Sequence, residues 1–195
     1  MALQLRPAKQ SDAADMAILE NIASHGLSLW LWQGAVKRGK AFDAYEWGRA
    51  MMADPTNEAG WSNGTIAEIN GETAGFATGY LLTDFDPPKA MIEDKVTGPL
   101  MDLFAKSIGC WFVDSLATYS HHRRNGVARA LMVDQIARAR QSGVSQIRLV
   151  AEDGNSAGSA LYQNLGFEEI ETRPFTRFNS TSQSTVWRLM SRPVS

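Results

Sequence analysis

The sequence predicts a mixed α/β or α+β domain, a sheet with helices packed on it. Three observations predict it. Short strand-like runs alternate with segments of helical spacing, in the order βαα-ββ-loop-β-α-β-α-ββ. Asn70-Gly71 joins two runs of strand character, and both positions of a two-residue hairpin turn need positive φ, which this pair tolerates best. The chain has 195 residues, 44% hydrophobic and 21% charged, enough to bury one core without staples.

Taken in order, Leu3 to Arg6 reads as a short strand ended by Pro7. Ser11 is a candidate N-cap for a helix in which Ala14, Ile18 and Ile22 recur up to Gly26. Residues 27–61 hold Trp30, Trp32, Trp47 and Trp61, four of the six tryptophans. Within them Phe42 to Ala53 reads as a second helix, stopped near Pro55. Thr65 to Ile69 and residues 72–82 form the hairpin. Residues 84–109 read as a long irregular connection with a short helix around Leu100 to Lys106; connections this long are often lids or binding loops. Cys110 to Thr118 is a buried strand. Gly126 to Gln141 is a helix whose inner face carries Ala130, Val133 and Ala137, flanked by Val127 and Ile136 and stopped by Gly143. Ile147 to Val150 is a strand, Ser156 to Asn164 a helix closed by Gly166, and Phe167 to Arg192 two strands joined around Asn179-Ser180-Thr181. No repeat or low-complexity tract interrupts this, so residues 1–195 are expected to be one domain. Its best-supported core is 63–192, with a helical, tryptophan-rich part at 8–61 and a candidate lid loop at 84–109.

Composition narrows the function. A net charge of -2 provides no electrostatic footprint for nucleic acid. A single cysteine, Cys110, cannot make an internal disulfide; in its apolar run it reads as a buried thiol in a reducing compartment. No signal peptide and no window apolar enough to span a bilayer is visible, so a cytoplasmic protein without a membrane partner is expected.

The segment Arg123-Arg124-Asn125-Gly126-Val127-Ala128 is where a strand runs through a glycine turn into a helix. Such a junction attracts anions, because the first helical N–H groups lack intrahelical partners and the helix dipole favours negative charge there. Gly126 lets a phosphate approach the backbone, and Arg123, Arg124 and Arg129 add cationic reach. A Walker A loop and a dinucleotide fingerprint both fail to match. On these six residues alone, an ordinary turn with a solvated basic face stands equally.

The surroundings decide between them. Leu116-Ala117-Thr118 followed by Arg123-x-x-Gly126-x-Ala128 resembles the acyl-CoA-binding motif of the GNAT superfamily of N-acetyltransferases. Asn155, followed seven residues later by the Tyr162 of Leu161-Tyr162-Gln163-Asn164-Leu165-Gly166-Phe167, is similar to that family's second motif. The resemblance implies a GNAT-like mixed, mostly antiparallel twisted sheet of about six to seven strands, flanked by about four to five helices and splayed at a central parallel pair. It implies acetyl transfer from acetyl-CoA to a primary amine of a small molecule or peptide by direct attack on the thioester. A non-catalytic acyl-CoA sensor is the alternative. It further implies a homodimer.

Residue by residue, the resemblance assigns the CoA pyrophosphate to the backbone of Arg124, Asn125, Gly126, Val127, Ala128 and Arg129, with Arg123 opening the turn. It assigns the pantetheine arm to Leu116, Ala117 and Thr118, and a cofactor-side role to Asn155. Tyr162 stands where the family's acid stands, and Asp114 where it often has a Glu base. Glu72, Glu68 and His121 are weaker base candidates. No metal is expected: His121 and His122, read as strand neighbours, would point apart. Trp30, Trp32, Trp47 and Trp61 read as core or interface before pocket, and Glu93-Asp94 as a solvated loop.

Overall fold

The computed structural model describes residues 2–180 and 182–194. Thr181, part of the expected last turn, lies outside them. The elements are β1 (Leu3–Pro7), α1 (Ala13–Ala23), α2 (Leu27–Lys37), α3 (Ala44–Ala53), β2 (Gly64–Ile69), β3 (Glu72–Leu81), α4 (Lys89–Glu93), α5 (Gly98–Ala105), β4 (Trp111–Thr118), α6 (Val127–Gln141), β5 (Gln146–Glu152), α7 (Ser156–Asn164), β6 (Glu168–Pro174) and β7 (Val186–Pro193). The strands form one seven-stranded sheet in the order β1-β2-β3-β4-β5-β7-β6. The pairs β1–β2, β2–β3, β5–β7 and β6–β7 are antiparallel and β4–β5 is parallel, so the sheet is mixed and mostly antiparallel, as the sequence predicts.

The chain divides into two compact units, Met1–Tyr80 with Asp114–Gln135 and Leu81–Val113 with Ile136–Ser195. In the first, α1, α2 and α3 pack on one face of the strands. Met16, Leu19, Trp32, Met52, Ile66, Phe76 and Ala117 form that core, with Trp47 and Trp61 against it. The other face carries Ala67, Ile69, Ala74 and Ala77 against Val127 and Leu131. Ala74 joins Ala77 on that face through a bulge: Glu68 opposes Thr73 while Ala67 opposes Gly75, which leaves Ala74 as the extra residue. In the second unit Phe104 packs edge-on against Phe112, ring centroids 4.6 Å apart, and Phe175 packs on Trp187 at 4.7 Å.

The Asn70-Gly71 hairpin is confirmed, with φ of 55° and 84° at its two positions. Four expectations are corrected. Residues 27–37 are a helix that the tryptophan-rich composition disguised. Gly26, at φ 95°, separates it from α1, and its first N–H groups are capped from α1: Ser28 N donates to Ser24 Oγ at 3.1 Å and Leu29 N to Asn21 Oδ1 at 3.2 Å. In residues 84–109 the expected short helix is present as α5, and a second, unexpected helix, α4, makes the connection less irregular than the sequence suggests. Ser11 is no N-cap. It lies in a 3-10 turn that Asp12 closes by accepting from Lys9 N at 2.7 Å. The inner face of α6 is Val127, Leu131, Met132, Gln135, Ile136 and Ala139, whereas Val133 is 48% exposed. Three of the four tryptophans join the core: Trp47 and Trp61 pack against it, and Trp32 is buried with its ring on the backbone of Gly48.

Candidate functional site

The turn between β4 and α6 is open above its glycine. Tyr119 N donates to the carbonyl that the bulge leaves available at Ala74, at 2.9 Å, and a 3-10 turn at Ser120–His122 follows. Arg124 then takes φ 66° and Gly126 φ 79°. A side chain at Gly126 would meet nothing within 4 Å, so the space over the turn is open. It would still be strained by the left-handed backbone. Helix α6 starts at the next residue, and Ala130 N donates to Gly126 O at 2.9 Å. Arg123, Arg124, Asn125, Gly126 and Arg129 are exposed, Ala128 is half-buried, and Val127 is buried as the anchor. Beneath the anchor, Gly75 is obligatory: a Cβ there would run into the Ala117 carbonyl and come within 3.0 Å of Val127 Cγ1.

Strand β4 leads into this turn. It pairs in parallel with β5 at Trp111–Ile147, Phe112–Arg148 and Val113–Leu149, and runs to Thr118. Ala117 is buried and Leu116 and Thr118 half-buried. The Thr118 hydroxyl is buried with no hydrogen-bond partner among the described residues. An unpaired buried hydroxyl at the strand end suits the amides of a pantetheine chain. With the open turn and its arginines, these residues fit acetyl-CoA.

An acidic group surrounds the middle of β4. Ser115 donates from the buried face to Glu20 on α1, and Ser28 Oγ donates to the same carboxylate at 2.8 Å. Burial raises Glu20 above the ordinary carboxylate range, while the two serines oppose the rise. Asp114 is half-buried, and burial pushes it up to about 7, with the charges of Glu20 and Glu58 adding to the effect. The Tyr80 phenol is raised by burial and then by Asp114, Glu58 and Glu20. The sequence reading found Asp114 and missed Glu20, Glu58 and Tyr80. Glu20 reads as an ordinary helix surface position until Ser115 is placed beside it.

The second unit holds Asn155 and Tyr162. Asn155 is the N-cap of α7, its Oδ1 accepting from Gly158 N at 2.9 Å. Tyr162 lies on that helix, buried, with its ring 6.1 Å from Phe167. Burial pushes its phenol up to about 12. Of the weaker base candidates, Glu68 is held by Arg6 at 2.7 Å. Glu72 and His121 instead face each other at 3.3 Å. The strand reading of His121-His122 is corrected: both sit in the 3-10 turn, ring centroids 4.2 Å apart, rather than pointing to opposite faces. Asp94 accepts from Val96 N and Thr97 N and so shapes its own loop. Cys110 is buried. Among the described residues no helix is long and apolar enough to cross a membrane.

Comparison with known proteins agrees with this geometry. The model of the acetyltransferase (GNAT) family matches residues 29–167. A search of curated proteins finds no match. Among solved structures, the ribosomal-protein-S18-alanine N-acetyltransferase of Escherichia coli superposes with a TM-score of 0.63 at 17% identity, covering 100% of this chain and 95% of its own. An N-acetyltransferase of Staphylococcus aureus Mu50 superposes at 0.66 and 15%, covering 97% and 100%. The Salmonella typhimurium protein yncA, solved with its cofactor acetyl-CoA, superposes at 0.61 and 20%, covering 100% and 95%. At these identities the superpositions establish the fold, and the family match extends over most of the chain. The chain belongs to the acetyltransferase (GNAT) family and is a GNAT-type transferase that uses acetyl-CoA.

Proposed function

We propose that this transferase, acting as a single domain, acetylates a primary amine that is cationic in solution, on a small molecule or a peptide. The observation that carries the reading is the acidic group on and around β4: Glu20, Asp114 and Glu58, with Tyr80 beside them. Carboxylates gathered near the strand that leads to the CoA turn attract an ammonium group and then take its proton.

Bound acetyl-CoA supplies an activated acyl carbonyl. The backbone of Leu116, Ala117 and Thr118 orients the pantetheine arm, with the Thr118 hydroxyl available to one of its amides. The N–H groups of Arg124 to Arg129 receive the pyrophosphate, and Arg123, Arg124 and Arg129 neutralise its charge. Asp114 removes a proton from the amine; held near 7 instead of in the ordinary carboxylate range, it is ionised at working pH yet basic enough to accept. Glu20, fixed by Ser28 and Ser115, adds to the rise of Asp114 after burial, the larger cause. Tyr162 donates a hydrogen bond to the departing sulfur. A phenol pushed up to about 12 stays protonated and serves better as a hydrogen-bond donor than as a complete proton donor. Asn155 acts through α7, whose start it caps. We further infer a cytoplasmic homodimer built on the C-terminal strands.

The test is a panel of amines offered with acetyl-CoA to the purified protein. Cationic primary amines are expected to be acetylated, with kcat/KM rising with pH through about 7 as Asp114 ionises. Preference for neutral or anionic acceptors would refute the reading.

A further inference from the structure

We propose that Glu72, His121 and His122 form a binding site for one divalent transition-metal ion of the zinc type, separate from the acidic group around Asp114. Two imidazoles and a carboxylate are a borderline-soft ligand set suited to such ions. Each of the three residues offers a ligand atom, and all three atoms lie within 4.8 Å of one another. His121 Nε2 is 3.3 Å from Glu72 Oε1, and His122 Nε2 is 3.6 Å from Glu72 Oε2. Ligand atoms around a tetrahedral zinc ion stand about 3.4 Å apart. The two distances to Glu72 are therefore already close to those of a filled site, and the Glu72 side chain, 67% exposed, is free to adjust.

An ordinary ion pair would account for one histidine facing Glu72. The second, His122, stands 3.6 Å from the same carboxylate, too far for a hydrogen bond. That ring is buried, and its Nε2 has no hydrogen-bond partner among the described residues while it faces the carboxylate. A buried ring nitrogen without a hydrogen bond is costly unless something binds it.

The ligands also stand on fixed supports. Glu72 begins β3 directly after the Asn70-Gly71 turn. The histidine turn is tied to the same strand through Tyr119 N and the Ala74 carbonyl, at 2.9 Å, and closed by His122 N donating to Tyr119 O at 2.9 Å. The Tyr119 ring stacks on His121 at 5.8 Å, and its hydroxyl donates to Asp15 at 2.7 Å. Such support lets a site bind without reorganising its backbone. Three protein ligands leave a fourth position open for water. The bound ion joins β3 to the turn immediately before Arg123, and so braces the start of the phosphate-binding segment.

The test uses the full-length protein, stripped with chelator and titrated with Zn²⁺ alone, by calorimetry and by competition with a chromogenic zinc indicator. One equivalent is expected to bind. Glu72→Gln and His121→Asn, both at exposed side chains, are each expected to weaken it by at least about tenfold. His25→Asn, at the only other histidine of the chain, is expected to bind as the wild type does. Zn²⁺ is also expected to raise the Tm of the wild type and leave that of the Glu72→Gln/His121→Asn double variant unchanged. No saturable uptake overturns the proposal. So does wild-type affinity in either single variant, or loss of binding in His25→Asn.

Discussion

Replacing Asp114 by Asn removes a carboxyl that the fold holds at a cost whenever it is ionised. Its ordinary value is 3.8, and burial, with the charges of Glu20 and Glu58, carries it to about 7. Each factor of ten in the ionisation constant is about 1.4 kcal/mol at 25 °C, so the ionised form is disfavoured by up to about 4 kcal/mol relative to the unfolded chain. Glu20 is raised by the same surroundings and shares the penalty, so one substitution recovers less than that. The sign follows from a folded value above the unfolded one. The folded state binds the extra proton, its advantage is complete below 3.8, and it is lost as the pH rises through about 7. Asn cannot ionise, so Asp114→Asn is expected to be more stable than the wild type at pH 8, with the difference closing towards pH 5. Urea unfolding at the two pH values measures this, with m unchanged as the sign of an intact fold. The same variant is expected to lose about 10²-fold or more in kcat as the base disappears. A variant less stable at pH 8 than the wild type refutes the buried-carboxylate argument. Full activity with the expected gain in stability refutes only the role as base.

Two further outcomes rest on separate observations. A Cβ at Gly48 would stand 2.5 Å from the Trp32 ring, so Gly48→Ala is expected to destabilise by about 1–3 kcal/mol in urea unfolding, and unchanged stability would contradict the packing of α2 on α3. Tyr162→Phe retains the ring that packs on Phe167 and removes only the hydroxyl, so kcat is expected to fall while KM for acetyl-CoA holds; an unchanged kcat would remove Tyr162 from the reaction.

Local chemistry made much of this fold legible. Asn70-Gly71 could be read because the turn's requirement for positive φ is met by the pair itself, and Gly143 and Gly166, both at positive φ, mark helix ends for the same reason. The Arg123-to-Ala128 turn could be read because its motif is contiguous. Helix α2 was hidden because its tryptophans obscure any polar face and Gly34 interrupts the run. The inner face of α6 was misjudged because Val133 was placed by its hydrophobicity; helix geometry turns Gln135 inward instead. Glu20 and Ser115 are 95 residues apart, and nothing local to either announces the other. The histidine pair was misread because alternation along a strand was applied to residues that a 3-10 turn brings to the same side.

The proposed seat of the acetyl-CoA phosphates is the β4–α6 turn. Calorimetric titration of acetyl-CoA into the wild type and into Gly126→Val tests it directly. At φ 79° a valine is both strained and placed in the open space over the turn. One equivalent is expected to bind to the wild type, and at least about tenfold more weakly to a folded Gly126→Val. Equal affinity in the two proteins, or no binding to the wild type at millimolar acetyl-CoA, would contradict it.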